Sequence, residues 1–258
     1  QIRSYKTIEE SIKSKPNIII IATPPNSHLS CLQSAIKSDA KILLEKPLAA
    51  SKEDSKNILR IAEKNKNRIW SVSNMRYHPG FKLLEQNLKS LKKIYYANSH
   101  FSHKLSQMRP TVKNIYASKK DQGGVILDNV HDIDLVCRLF GKISKVNSLT
   151  SNLGVEKIEA EDYASLCFKA EKNINISIQL DFLSRWKSRG IKIVGEEGTL
   201  IWESCGKNPE LVSVKLFGTN GIISTFLNNE PLSSDYVYRE MLIDFMNEKK
   251  DLQTIEQA

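Results

Sequence analysis

Two short stretches of the chain carry ionisable side chains at spacings suited to acid–base chemistry. In Gly123-Gly124-Val125-Ile126-Leu127-Asp128-Asn129-Val130-His131-Asp132-Ile133-Asp134, the side chains Asp128, His131 and Asp134 fall at i, i+3 and i+6. On a helix, neighbours in that series can touch. A carboxylate beside an imidazole fixes the ring tautomer and favours the imidazolium, the usual make-up of a general acid–base pair. Such pairs are also common as plain surface hydrogen bonds. The second stretch is Glu45-Lys46-Pro47, which follows the apolar run 42–44. Proline cannot continue a ladder and fixes its own φ, so it stops a strand and holds the charged pair in a stiff turn. Ligands of open α/β sheets sit outside the carboxyl ends of the strands. Glu45 and Lys46 therefore stand where a cofactor would lie, unless they are a solvated charge pair.

The elements that must position these groups read in two grammars. Residues 7–14 predict a short helix with Ile8 and Ile12 on one side. Residues 17–22 are a β-branched run without alternation, as in a parallel strand covered on both faces. Thr23-Pro24-Pro25 ends it, and Asn26 or Ser27 can cap a helix carrying Leu29, Leu32 and Ile36. After the strand at 42–44, Ser51-x-x-Asp54 opens a helix with Ile58, Leu59 and Ala62 as its stripe, and 68–72 is the next strand. This is the βαβ rhythm of a doubly wound domain. The grammar changes near residues 77–80. A helix with Phe81, Leu84 and Leu88 follows, then a strand at 94–101, then a helix from Gly123 to Phe140 stopped by Gly141. Residues 173–182 alternate strictly, with Ile174, Ile176, Ile178, Leu180 and Phe182 on one face, which predicts an antiparallel sheet with one polar side. Gly195–Gly198 reads as a hairpin turn, and 235–247 as a last helix with Val237, Met241 and Phe245 along one side.

The ordered set of motifs resembles the Gfo/Idh/MocA family of oxidoreductases along essentially the whole chain. Ala22-Thr23-Pro24 with His28 looks like its "IATP…H" strand end, Glu45-Lys46-Pro47 like its EKP motif, and Asn74-Met75-Arg76-Tyr77-His78-Pro79 like its "N-x-R-(F/Y)-x-P" strand exit. Residues 123–134 look like its "GG-x3-D…H-x2-D" helix, although many members space the pair D-x-x-x-H. The resemblance implies an α/β fold: a partial Rossmann-type domain over 1–78, and over 79–258 a substrate-binding α/β domain with an open, mostly antiparallel sheet. It also implies a dehydrogenase moving a hydride between a sugar or nucleotide-sugar hydroxyl and NAD or NADP. Lys46, Asp128 and His131 would be the catalytic set. Ala22, Thr23, Pro24, Asn26, His28, Glu45, Lys46 and Asn74 would bind the cofactor. Matches at Asn74–Pro79, Met108-Arg109-Pro110, Tyr116-Ala117-Ser118 and Asp181-Phe182-Leu183-x-Arg185 are similar to a branch of nonulosonic-acid and cell-surface sugar clusters. They imply Arg76, Arg109, Tyr116 and Arg185 as substrate contacts. Through its sheet the family usually forms a homodimer or homotetramer. A non-catalytic sugar or nucleotide sensor, or a partner subunit, on the same fold is the rival; an intact Lys46, Asp128 and His131 favours the enzyme.

The composition sets bounds. With 258 residues and 40% hydrophobic content, the chain can build a real core. Its longest apolar run, 18–22, is far too short to span a bilayer, so no membrane is expected. Four scattered cysteines without a CxxC favour neither a disulfide framework nor zinc, and fit the cytoplasm. No metal site is expected. The net charge of +9 comes from lysines not clustered with aromatics, so nucleic acid is not the expected partner. There is no G-x-G-x-x-G and no strand before the first helix. The first βαβ unit is thus expected upstream of Gln1, both ends are expected to be cut, and residues 1–258 alone are expected to bind NAD(P) poorly.

Overall fold

The computed structural model describes residues 3–109, 111–112, 115–247 and 252–258. The first unit holds three parallel strands, β1 (Ile18–Ile21), β2 (Lys41–Leu44) and β3 (Ile69–Ser71), in the order β1-β2-β3. Helices α1 (Ile8–Ile12), α2 (His28–Ala35) and α3 (Lys52–Lys64) alternate with them. Thr7 caps α1 and Ser51 caps α3 through their side-chain oxygens. Burial explains the unbroken apolar runs. Ile42 and Leu44 pack with Leu32, Ala35, Ile58 and Ala62, while Leu43, between them, points to the other face. There it meets Val237, Met241 and Phe245 of the last helix, α8 (Tyr236–Met246). Two-sided burial thus holds for β2. On β1, Ile18 and Ile20 are exposed, because β1 is the edge strand and α8 packs over Leu43 of β2 and Val72, just after β3.

The second unit begins with α4 (Pro79–Asn87) and is built on an eight-stranded sheet. Its strands are β4 (Ile94–Lys104), β5 (Ser144–Ser151), β6 (Tyr163–Lys169), β7 (Asn175–Asp181), β8 (Leu183–Gly195), β9 (Gly198–Cys205), β10 (Glu210–Gly218) and β11 (Gly221–Leu232). They lie in the order β11-β10-β9-β8-β4-β7-β6-β5, antiparallel except where β4 meets β7. Helices α5 (Leu105–Met108), α6 (Val125–Asp128) and α7 (Val130–Phe140) complete the unit, and Val125, Leu135, Val136 and Phe140 share the sheet's core with Phe101, Ile178 and Leu180. As the alternation predicts, Ile176, Ile178 and Leu180 are buried while Asn175 and Gln179 on the other face of β7 are exposed. The Gly195–Gly198 turn joins β8 to β9.

The chain then returns to the first unit. Thr254 pairs with Trp70 in an antiparallel bridge, and Ile255 enters the core of the three-stranded sheet. Thr254 and Gln257 form a capping box that opens a short 3₁₀ turn. Arg76 crosses between the units: its Nε donates to Asp134 Oδ2 at 2.9 Å, and Gln253 Nε2 donates to Asp134 Oδ1 at 2.7 Å. This contact fixes α7 against the carboxyl ends of the parallel strands.

Candidate active site

Lys46 lies two residues past the end of β2 and reaches across to α6. Its Nζ donates to the Asp128 carbonyl oxygen at 2.6 Å and lies 3.7 Å from Asp128 Oδ1. The same Oδ1 accepts from Tyr116 Oη at 2.6 Å and from Arg109 Nη2 at 3.0 Å, and the Arg109 guanidinium lies over the Tyr116 ring. Among the described residues no hydrogen bond reaches Asp128 Oδ2. Burial alone would raise the Asp128 pKa; the charges of Lys46 and Arg109 and the Tyr116 hydrogen bond outweigh it and hold the carboxyl below its ordinary value. Burial pushes the Lys46 ammonium down, against the pull of Asp128 and Glu45. Glu45 is pushed up by burial and partly restrained by Lys46.

His131 and Lys46 both line a cavity of about 400 Å³ with Pro47, Leu127 and Asp134. The predicted Asp128–His131 pair does not form. The expected continuous helix breaks at Asn129, whose φ of −105° and ψ of 28° separate α6 from α7. Among the described residues no hydrogen bond links the two side chains, and Lys46 supplies the charge beside His131. Burial, then the positive charges of Lys46 and Arg189, push the imidazole well below its usual pKa, opposite to the rise that an adjacent carboxylate would cause. At neutral pH His131 is therefore an unprotonated ring beside a buried ammonium.

The double glycine has a steric reason. A Cβ on Gly123 would run into the Tyr116 carbonyl and the Ala117 Cα, and one on Gly124, at φ +95°, into the Glu161 carboxylate that receives the Ile126 N–H. The turn thus lets the Tyr116 segment pass close under α6, where its hydroxyl meets Asp128. Gly123→Ala is expected to lower stability by about 1–3 kcal/mol, as overpacking does. A urea midpoint equal to that of the wild type would show that the turn has room to spare.

The residues expected around a cofactor gather at the carboxyl ends of β1, β2 and β3. Ala22, Thr23, Pro24 and Asn26 form an exposed rim after β1. His28 is fully buried, with ring nitrogens 2.8 Å from the Thr23 carbonyl and 3.1 Å from the Leu48 carbonyl, so it shapes that rim from beneath. Asn74 is buried and its Oδ1 has no partner. An exposed backbone rim, a buried amide oxygen and the Glu45 carboxylate fit the nicotinamide end of a dinucleotide.

Of the expected substrate contacts, Arg109 and Tyr116 converge on Asp128. Arg76 is committed to Asp134. Arg185 is exposed and stands apart, on the wall of a smaller cavity with His103. Pro110 lies outside the described residues. The sequence reading missed Arg189 and Asp132. Arg189 Nη2 donates to Asp132 Oδ2 at 3.3 Å, and its guanidinium stacks 3.6 Å from the Phe101 ring centroid. Burial pushes Asp132 up to about 6 against that pairing. An arginine inside a long strand gives no local signal; only the pairing of β8 with β4 brings it under α7.

Two family models match the chain: the NAD-binding Rossmann fold of the oxidoreductase family over residues 1–73, and the GFO/IDH/MocA C-terminal domain over residues 89–201. Together they cover well over half of it in family order, and the chain belongs to the Gfo/Idh/MocA family of oxidoreductases. The Bacillus subtilis glucose-6-phosphate 3-dehydrogenase is similar, with 23% identity over 83% of this chain and 59% of its own length. In structure, myo-inositol 2-dehydrogenase from Lactobacillus plantarum superposes with a TM-score of 0.75 at 20% identity, covering 95% of this chain and 74% of that one. The WlbA dehydrogenase from Bordetella pertussis, in complex with NADH and UDP-GlcNAcA, gives 0.72 at 18% identity, covering 95% and 73%. The chain spans about three fifths of the length of the curated relatives that it matches over most of its own length. Among the described residues no helix is long and apolar enough to cross a membrane.

Proposed function

We propose that the protein is an NAD(P)-dependent dehydrogenase that oxidises a hydroxyl of a sugar or nucleotide-sugar. The observation that carries this reading is the buried Lys46 ammonium, held by Asp128 and lining one cavity with a neutral His131. A hydroxyl between these two groups gives its proton to the His131 ring. Lys46 stabilises the charge that develops on the oxygen, in a site where burial strengthens the interaction. Asp128 keeps Lys46 in place and has Oδ2 to accept from a second hydroxyl, with Arg109 and Tyr116 bracing its other oxygen. The rim after β1, Glu45 and Asn74 would hold the nicotinamide nucleotide, which when bound supplies the two-electron acceptor.

Residues 1–78 serve the cofactor in this reading, and 79–258 the substrate and assembly. The polar face of the large sheet, with His100, Gln179 and Lys192 beside one groove, is the surface for a homodimer or homotetramer. The likeness to the WlbA structure, which holds a nucleotide-sugar, supports the cell-surface sugar branch. The test is a panel of neutral hexoses, hexose phosphates and UDP-sugars with NAD and NADP, followed by reduced-nicotinamide absorbance and mass analysis of the product. Oxidation of at least one member to a keto product is expected. Binding without any turnover across the panel would favour the non-catalytic sensor instead.

A further inference from the structure

We propose that the smaller cavity, walled by His103, Lys104, Arg185, Trp186, Lys187 and Lys207, binds the phosphoryl or diphosphate group of an anionic sugar substrate. This deepens the dehydrogenase reading and rests on it for the word substrate; the site itself stands on its own geometry. The cavity measures about 140 Å³, enough for a phosphate-sized group. Four cationic side chains line it and, among the described residues, no acidic one does. Lys187 is neutralised by Glu210 from outside the cavity, and Lys207 donates only to the Gln107 carbonyl, which carries no charge. Lys104 and Arg185 have no anionic partner among the described residues. A pocket with this excess of positive charge selects an anion, and arginine suits phosphate geometry.

A second observation points the same way. His103 is 3% exposed and its Nδ1 has no hydrogen-bond partner. Asp128 is among the charges that act on the His103 ring, although burial is the larger influence on it. The backbone is shaped to build this wall. The two-residue step from Ser102 to Lys104 on β4 is matched by the longer step from Ser188 to Leu183 on β8. The extra residues bulge out of the ladder and carry Arg185 and Trp186 with them. Trp186 is 63% exposed, and the edge of its ring lies beside Gly206 at the cavity wall. That ring offers a stacking platform for a nucleoside base.

The test is isothermal titration calorimetry of the protein with inorganic pyrophosphate, UDP and a hexose 6-phosphate. Pyrophosphate affinity is expected to fall by about tenfold or more in the Lys104→Ala/Arg185→Ala double variant, as loss of charge-assisted hydrogen bonds implies. It is expected to stay unchanged in Lys46→Met, with circular dichroism confirming that both variants are folded. No pyrophosphate binding to the wild type, equal binding to the double variant, or loss in Lys46→Met would overturn the assignment. Tighter binding of UDP that weakens in Trp186→Ala identifies a nucleotide-sugar, and tighter binding of the hexose phosphate a sugar phosphate; each supports the anion site. The two readings fail separately. Anion binding without turnover refutes the dehydrogenase and leaves the cavity assigned, whereas turnover without anion binding refutes the cavity alone.

Discussion

Lys46→Met lowers kcat by about 10²–10³-fold on a confirmed substrate, the cost of removing one donor to a developing oxyanion. Methionine keeps the apolar stem that fills the gap between β2 and α6, while the ammonium is lost. Asp128 remains held by Arg109 and Tyr116, so the fold survives and the urea midpoint moves little. A second effect follows from the same charge. Lys46 is one of the groups pushing the His131 pKa down. Without it, the acid limb of the residual activity moves to higher pH. Wild-type turnover in this variant would remove Lys46 from the reaction.

His131→Ala lowers kcat by roughly 10²–10⁴-fold, the usual worth of a positioned general base. The pH dependence carries the sharper test. The neutral ring is the proton acceptor, and a depressed pKa means that it stays neutral to lower pH. Wild-type activity is therefore flat through neutrality, and its acid limb falls well below the ordinary pKa near 6.5. On the alkaline side activity declines as Lys46 loses its proton, below the ordinary 10.5 because burial lowers its pKa. Asp128→Asn leaves the acid limb where it is, since Asp128 is not among the charges that shift His131. A wild-type limb at or above 6.5, or one that persists in His131→Ala, would pass the proton to another group.

Much of this site was legible in the chain. Apolar runs ending in Thr23-Pro24 and Glu45-Lys46-Pro47 located the carboxyl ends of two parallel strands, because proline stops a ladder wherever it falls. Gly123-Gly124 marked the start of the helical stretch, and the strict alternation of 174–182 marked a half-covered sheet; the close approach at the double glycine was not legible. What stayed hidden depends on contacts between distant elements. The break at Asn129 has no proline or glycine to announce it, so Asp128 and His131 read as one helical pair when Asp128 in fact pairs with Lys46. Arg185 and Arg189 are four apart and would share a face of a regular strand; the bulge before Ser188 sends the first outward and leaves the second buried against Asp132. Arg76 read as a free substrate contact because its partner, Asp134, is 58 positions away. The return of Thr254 to Trp70 is equally non-local.

The most direct measurement of the chemistry is the transfer of deuterium from a substrate labelled at the carbinol carbon. With such a substrate, NAD(P) and the wild-type protein, mass spectrometry is expected to find the label in the reduced nicotinamide, with a rate that falls sharply in Lys46→Met and His131→Ala. Keto product with the label lost to water, or equal label transfer in all three proteins, would contradict hydride transfer at the Lys46–His131 site.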